Sequence, residues 1–287
     1  MRALVTGTSS GIGLATALHL AQQGYQVFAG MRNPAKAEAL EQQANDKQLD
    51  IAVVEMDVTQ TTSVDQVFKH VHASGPLDVL VNNAGLGAAT PLELTPIDEH
   101  QLIFETNYFG AIRCIQAALP NMRARGAGAI VNITSVEGLV AFPNQIAYSA
   151  SKWALECAGE ALAHEVKKFG IRVFNIEPGV IMTSIFKNAK PYTRFDRESP
   201  YRNIMRRNGK FFGAGHRLGT GPAEVAEVVL QALQSDSYQL RWLVGADAEK
   251  LMSGRRAMTD EEWIGLGDDL TDDDYTAEFE RHFDIKL

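Results

Sequence analysis

The chain has 287 residues, 45% apolar and 22% charged, with a net charge of −8. Such length and composition exclude a wholly disordered or fibrous chain, and at roughly 100–200 residues per domain they fit one large domain with room for an appendage. The charge is uneven: residues 259–287 hold 11 acidic and two basic side chains, net −9, which leaves the rest at +1, and a neutral body argues against binding nucleic acid.

Apolar, β-branched runs appear at Ala3–Thr6, Gln26–Ala29, Ile51–Glu55, Leu77–Val81, Ala129–Ile133, Val173–Ile176 and Leu240–Val244. The stretches between the first six are long enough for crossover helices. This is the pattern of a doubly wound parallel sheet of about seven strands with helices on both faces, a Rossmann-type α/β fold.

The first strand runs into Thr6-Gly7-Thr8-Ser9-Ser10-Gly11-Ile12-Gly13, which opens a helix ending near Gly24. Glycines there allow a tight turn and a close approach of pyrophosphate, and a helix N-terminus offers amide donors and positive potential. The second strand leads to Met31-Arg32-Asn33. A carboxylate near this point usually holds the ribose 2′-hydroxyl of NAD. Met31 and Arg32 take its place, and an arginine suits a 2′-phosphate, so NADP(H) is expected ahead of NAD(H). Ser9 and Ser10 are further hydroxyl donors for it. Asp57-Val58 follows the third strand, with a turn-capping Asp as the bland alternative.

Further along stand Asn82-Asn83-Ala84-Gly85 after the fourth strand, Asn107 in Asn107-Tyr108-Phe109-Gly110, Ser135 after the fifth strand, Tyr148-Ser149-Ala150-Ser151-Lys152, and Pro178-Gly179 with Thr183. Tyr148 and Lys152, four apart on a predicted helix, share a face. A free phenol is a poor acid or base at neutral pH. An ammonium about 4 Å away favours the phenolate by roughly 4 kcal/mol, so Lys152 is expected to pull the phenol down. The Ser135 hydroxyl can polarise a substrate oxygen.

Together with the Gly7-Gly11-Gly13 spacing, these ordered motifs resemble the short-chain dehydrogenase/reductase family over about Met1 to Val244. Locally, the stretches Val27–Asn33 and Glu105–Arg113 are similar to its steroid and retinol dehydrogenase-like members. The resemblance implies a catalytic set of Asn107, Ser135, Tyr148 and Lys152, with Lys152 also on the nicotinamide ribose and Asn107 holding a water. It implies cofactor contacts at Gly7, Ser9, Ser10, Gly11, Ile12, Gly13, Arg32, Asp57, Val58, Asn83, Ala84, Gly85, Tyr148 and Lys152. Pro178, Gly179 and Thr183 would clamp the carboxamide. It also implies a homodimer or homotetramer paired through the helices from Pro96 to Ala124 and from Ala147 to Phe169, where Trp153 reads as exposed. Glu137 departs from the small residue associated with the steroid and retinoid relatives.

Residues 1–258 read as one oxidoreductase domain. Within it residues 183–221 hold no clean strand and read as a substrate-binding lid, since a connection so long in a compact domain is usually functional or has helices of its own. Leu139, Phe142, Val180, Met182 and Phe186, with Phe211 and Phe212, are candidate pocket residues, favouring a bulky apolar ketone or secondary alcohol. Arg194, Arg197, Arg206 and Arg207 read as solvated charges, with an acidic substrate group the alternative. Residues 259–287 form an acidic C-terminal extension. Thr259 suits an N-cap there, and Asp268, Asp269 and Asp272–Asp274 read as a solvated acidic face, lacking the spacing of a calcium loop. Trp263, Tyr275, Phe279 and Phe283 suggest that parts of this tail dock.

His70 and His72 face apart on a helix and read as surface residues, so no metal is expected. No apolar run reaches the ~18 residues of a membrane span, and the opening apolar run is too short for a signal peptide. Cys114 and Cys157 make no disulfide framework, so a reducing, cytoplasmic setting is expected. The sequence thus points to an NADP(H)-dependent oxidoreductase acting on the CH–OH group of a small molecule. The alternatives are a dinucleotide sensor without turnover, or a 3-oxoacyl or other carbonyl reductase of the same family.

Overall fold

The computed structural model of the chain describes residues 1–183 and 193–287. Seven strands lie in one all-parallel sheet: β1 (Arg2–Thr6), β2 (Gln26–Met31), β3 (Ile51–Glu55), β4 (Val79–Asn82), β5 (Gly128–Ile133), β6 (Ile171–Pro178) and β7 (Arg241–Val244). Their order is β3-β2-β1-β4-β5-β6-β7. The helices are α1 (Gly11–Gln22), α2 (Glu38–Asp46), α3 (Thr61–Ser74), α4 (Ile97–Phe104), α5 (Gly110–Arg125), α6 (Ile146–Val166), α7 (Arg202–Leu218), α8 (Pro222–Gln234), α9 (Ala246–Ala257), α10 (Asp260–Gly265) and α11 (Asp272–Phe283).

The sheet is buried on both faces, which is why its strands read as near-continuous apolar runs. Pleating divides each strand between two cores. Ala3 and Val5 of β1 join Leu18 and Leu20 of α1 and Val225 and Val229 of α8 on one face. Leu4 joins Phe68 of α3, Ile115 and Met122 of α5 and Leu162 of α6 on the other. The strand order reverses between β1 and β4, and ligands of such sheets bind beyond the carboxyl ends at that switch point. The loops after β1, β4, β5 and β6 all open there.

A third apolar cluster lies past the carboxyl ends. It joins Val136 and Phe142 from the segment after β5, Val180 after β6, Phe211 of α7, Leu251 of α9, and Tyr275, Phe279 and Phe283 of α11. The acidic tail therefore packs on the segment that follows Thr193. Phe142 stacks on Phe211 at 4.8 Å and meets Trp263 edge-on at 5.7 Å. Thr259 caps α10 reciprocally: its Oγ1 accepts from Glu262 N at 3.2 Å while Glu262 Oε2 accepts from Thr259 N at 2.8 Å. Thr271 accepts from Asp274 N at 3.1 Å to cap α11, so tail carboxylates gather at helix N-termini, where the helix dipole favours them.

Three of the four arginines read as solvated are engaged within the protein instead. Arg207 is only 4% exposed; it lies over the Tyr275 ring at 4.4 Å and donates to Leu270 O at 2.7 Å. Burial against the tail takes its charge out of water, and carbonyl oxygens replace the lost hydration. Arg206 pairs with Asp272 at 2.6 Å and Arg194 pairs with Glu99, while Arg197 is exposed. The Asp272 partnership also takes that residue out of the solvated acidic face expected of it.

Candidate active site

The glycine turn after β1 is a cradle that side chains would fill. Gly7 and Gly11 have φ of +72° and +59°, where an L side chain is strained. A Cβ on Gly13 would sit 2.4 Å from Gly7 O and 2.3 Å from Asn83 Nδ2. Asn83 in turn donates from Nδ2 to Thr6 O at 2.8 Å, so the loops after β1 and β4 are sewn together. The first turn of α1 holds no acidic residue, and its amide donors face the turn. This arrangement fits the pyrophosphate of a dinucleotide. Arg32 is exposed at the end of β2. Asp57 Oδ1 accepts from Thr59 N at 3.0 Å and Thr59 Oγ1 at 2.8 Å, so one of its oxygens serves the turn. Val58 is buried against the α5 side of the sheet.

The helix that carries Asn107 widens to a π-turn over Glu105–Phe109. Such turns insert one extra residue and often mark functional sites. Asn107 is buried, accepts from Leu86 N at 2.7 Å and donates to Leu86 O and Ser151 Oγ, both at 3.0 Å. Its amide thus pins the segment after Gly85 to α6.

Tyr148 and Lys152 lie in the first two turns of α6. A polar ladder fixes that helix against the sheet. Asn82 donates to Asn132, Asn132 to Asn175, each at 3.0 Å, and Asn175 to Glu156 of α6 at 2.8 Å. Gly159 permits the close approach, since a Cβ there would stand 2.3 Å from Asn175. Lys152 Nζ donates to Ile133 O at 2.8 Å and lies 5.8 Å from the centre of the Tyr148 ring. Ser135 hydrogen-bonds the phenol, and its Oγ accepts from Glu137 N at 3.1 Å.

The electrostatics differ from the sequence expectation. Burial, joined by the nearby Glu137 carboxylate, pushes the Tyr148 phenol well above its ordinary range, against the pull of the Ser135 hydrogen bond. Burial lowers the Lys152 ammonium as well, to about 8, and Lys152 is not among the groups that shift the phenol. In a low dielectric both groups favour their neutral forms. Burial therefore favours the protonated phenol at Tyr148.

One cavity of about 390 Å³ gathers these groups. Its wall includes Ile12, Asn83 and Gly85 on the dinucleotide side, then Ser135, Tyr148, Lys152, Pro178, Gly179 and Thr183. Val180, Ile181, Phe211 and Phe212 are apolar members of the wall. Of the candidate pocket residues, Val180, Phe211 and Phe212 line the cavity. Phe142 stands behind Phe211, Leu139 packs in the third apolar cluster, and Met182 is 43% exposed. Phe186 lies outside the described residues.

Three residues here were not singled out for a role by the motifs. Asp247 of α9 is fully buried and accepts from Val180 N at 2.6 Å, while a Cβ on Gly179 would lie 2.4 Å from its carboxylate. It braces the Pro178-Gly179 turn from below. Ser149 donates to Glu137 Oε2 at 2.7 Å. Gln145 lies in the cavity wall beside them. None has a signal in local spacing, because each contact joins separate elements; a glycine before an acidic first helical turn at Gly245-Ala246-Asp247 is the one hint.

The family model for short chain dehydrogenase matches residues 1–193. The bovine (Bos taurus) retinol dehydrogenase 8 is 36% identical over 251 residues, covering 83% of this chain and 79% of that protein. The 3-ketodihydrosphingosine reductase of Bacteroides thetaiotaomicron is 34% identical over 243 residues, covering 84% and 87%. A short-chain dehydrogenase structure from Streptomyces avermitilis superposes with a TM-score of 0.79 at 35% identity, covering 93% of this chain and 97% of that one. The glycine cradle, the serine and the Tyr-x-x-x-Lys pair thus sit in a chain that the family model matches over most of its length: the protein belongs to the short-chain dehydrogenase family of NAD(P)-binding oxidoreductases.

Proposed function

We propose that this chain is an NADP(H)-dependent oxidoreductase that reduces the ketone, or oxidises the secondary alcohol, of a bulky apolar substrate. The observation that carries the reading is one cavity lined both by Ser135, Tyr148 and Lys152 and by the apolar Val180, Ile181, Phe211 and Phe212. A bound nicotinamide supplies the hydride, which is chemistry the protein need not provide. Ser135 steadies the substrate oxygen. Tyr148, kept protonated by its burial, gives its proton to that oxygen as negative charge grows on it. Lys152 orders the site from Ile133 and, by the family resemblance, holds the nicotinamide ribose, while Asn107 fixes the segment after Gly85. By the family resemblance, the Asn83-Ala84-Gly85 turn would contribute to holding the cofactor, and Pro178, Gly179 and Thr183 would hold its nicotinamide carboxamide.

The NADP(H) preference rests on Arg32 and on the missing carboxylate at the end of β2. The apolar substrate rests on Val180, Ile181, Phe211 and Phe212, with α7 and the tail as the lid over them. Two relatives named above are, by name, a retinol dehydrogenase and a 3-ketodihydrosphingosine reductase, in keeping with oxidation or reduction at an alcohol or carbonyl carbon. The free thiols, Cys114 buried and Cys157 exposed, support a cytoplasmic setting.

The test is consumption of NADPH and of NADH against a panel of bulky ketones, with Arg32→Glu beside the wild type. Turnover that prefers NADPH, with the preference lost or reversed in Arg32→Glu, supports the reading. Equal use of both cofactors removes the preference, and tight NADPH binding with no turnover on any ketone turns the reading to a sensor.

A further inference from the structure

A second cavity, of about 310 Å³, lies within the third apolar cluster, and the reaction as derived leaves it unused. Its walls include Phe142, Ile204, Trp263, Leu266 and Phe279. Phe211 stands between it and the catalytic cavity, which Phe211 lines. The Phe211 ring stacks on Phe142 at 4.8 Å, with 12° between the planes, and meets Phe279 at 6.0 Å. Both of those rings face the second cavity.

The partition is held from both sides. Phe211 and Phe142 are 3% and 4% exposed. Asn208, three residues earlier on α7, donates to Pro143 O and ties the helix to the chain beside Phe142. Gly215, four residues later, seats α7 on the loop after β6: a Cβ there would stand 2.4 Å from Val180 Cβ. Spacings of three and four put Asn208, Phe211 and Gly215 on one helix face, so the seat of α7 fixes the ring. Size makes this wall matter. Small-molecule sites run from roughly 300 to 1,000 Å³. The catalytic cavity, about 390 Å³, is near the bottom of that range. Its wall includes Pro178, Gly179 and Thr183, where the family resemblance puts the nicotinamide carboxamide, so substrate and cofactor share the space.

Resting on the oxidoreductase reading, we propose that Phe211 sets the length of substrate this protein accepts. The apolar part of the ketone or alcohol ends against the Phe211 ring and does not pass into the second cavity. The substrate class is therefore bulky but compact, and extended chains are refused at α7.

The experiment is a series of straight-chain methyl ketones of increasing length, read as kcat/KM with NADPH. Each methylene that enters an apolar wall should raise kcat/KM about fourfold. In the wild type the rise should stop or reverse at one length. In Phe211→Ala it should continue into the second cavity, so that the longest ketones gain roughly 10²-fold over the shortest relative to wild type. Phe211→Leu, which keeps more of the packing, should move the stop by less. Ile204 lies two turns before Phe211 on the same face. Adding Ile204→Trp to Phe211→Ala fills the second cavity and should return the stop towards its wild-type length, which a general loosening of the core would not do. Retained NADPH affinity certifies that each variant is folded. Binding of the same series to the NADPH-saturated protein reads the stop without turnover. A rise that runs through the whole series in the wild type, or a stop at one length in the wild type and both Phe211 variants, overturns the role of Phe211 and leaves the oxidoreductase standing. A stop in binding that moves in the Phe211 variants, with no turnover of any ketone, overturns the oxidoreductase reading and keeps Phe211 as the length limit.

Discussion

A phenol that is buried beside a carboxyl keeps its proton, and the chemistry of Tyr148 starts from that fact. Three groups face it: Ser135 draws its pKa down, the charge of Glu137 drives it up, and Lys152, itself lowered to about 8, carries only part of a positive charge at high pH. Under the proposed mechanism the protonated phenol is the active form in the reductive direction, so kcat/KM should fall as pH rises through its pKa. Glu137→Gln removes the negative charge that raises this pKa. The basic limb of the pH profile for a plain ketone is therefore expected at lower pH in the variant, and the oxidative reaction, which needs the phenolate, should set in at lower pH too. Profiles measured in both directions check it, and a limb that stays in place or moves up contradicts it. The four-residue spacing of Tyr148 and Lys152 was readable because a helix turns spacing into a shared face. The partnership of Glu137 with Ser149 was not, because it depends on how the segment after β5 lies against α6.

Between elements, the third apolar cluster does what the crossover helices do elsewhere. It lets α7, α9 and the acidic tail pack together beyond the carboxyl ends of the strands. Phe279 is 1% exposed and packs on Phe211 at 6.0 Å and Phe283 at 4.6 Å. Phe279→Ala should cost about 3–5 kcal/mol by denaturant unfolding if the tail belongs to the cooperative unit. A change under about 1 kcal/mol would mean that the tail opens by itself. The seven strands were legible from their apolar runs, and the observed bounds differ by at most two residues at either end of a strand. The π-turn at Asn107 was not, because the residues around it keep an unbroken helical pattern. The aromatic residues of the tail signalled docking, but their partner was hidden by distance: Phe211 and Phe279 are far apart in sequence. Arg207 was misread for the same reason, since only the folded tail brings Leu270 O and Tyr275 to it.

For the whole molecule, several exposed apolar side chains lie on or between α4, α5 and α6, the helices that the family resemblance pairs across subunits. Ile97, Phe109 and Trp153 are 73%, 45% and 47% exposed. A dimer or tetramer through α4, α5 and α6 would cover them. Trp153→Glu should then lower the mass seen by light scattering, and a wild type that is monomeric at micromolar concentration contradicts the arrangement. Among the described residues no helix is long and apolar enough to cross a membrane. The cofactor half of the site was legible because its glycines follow a strand and open a helix. The substrate half was not, because its walls come from four segments, one of them the helix α7 that carries no motif.

The central claim is that Tyr148 delivers the proton in carbonyl reduction. Its most direct test is single-turnover reduction of a turned-over ketone by NADPH-saturated wild type and Tyr148→Phe, with NADPH affinity measured for both. Equal affinity and a rate lower by roughly 10²–10⁴ in the variant is the predicted result. A well-folded variant that binds NADPH and reduces the ketone at the wild-type rate would contradict the account.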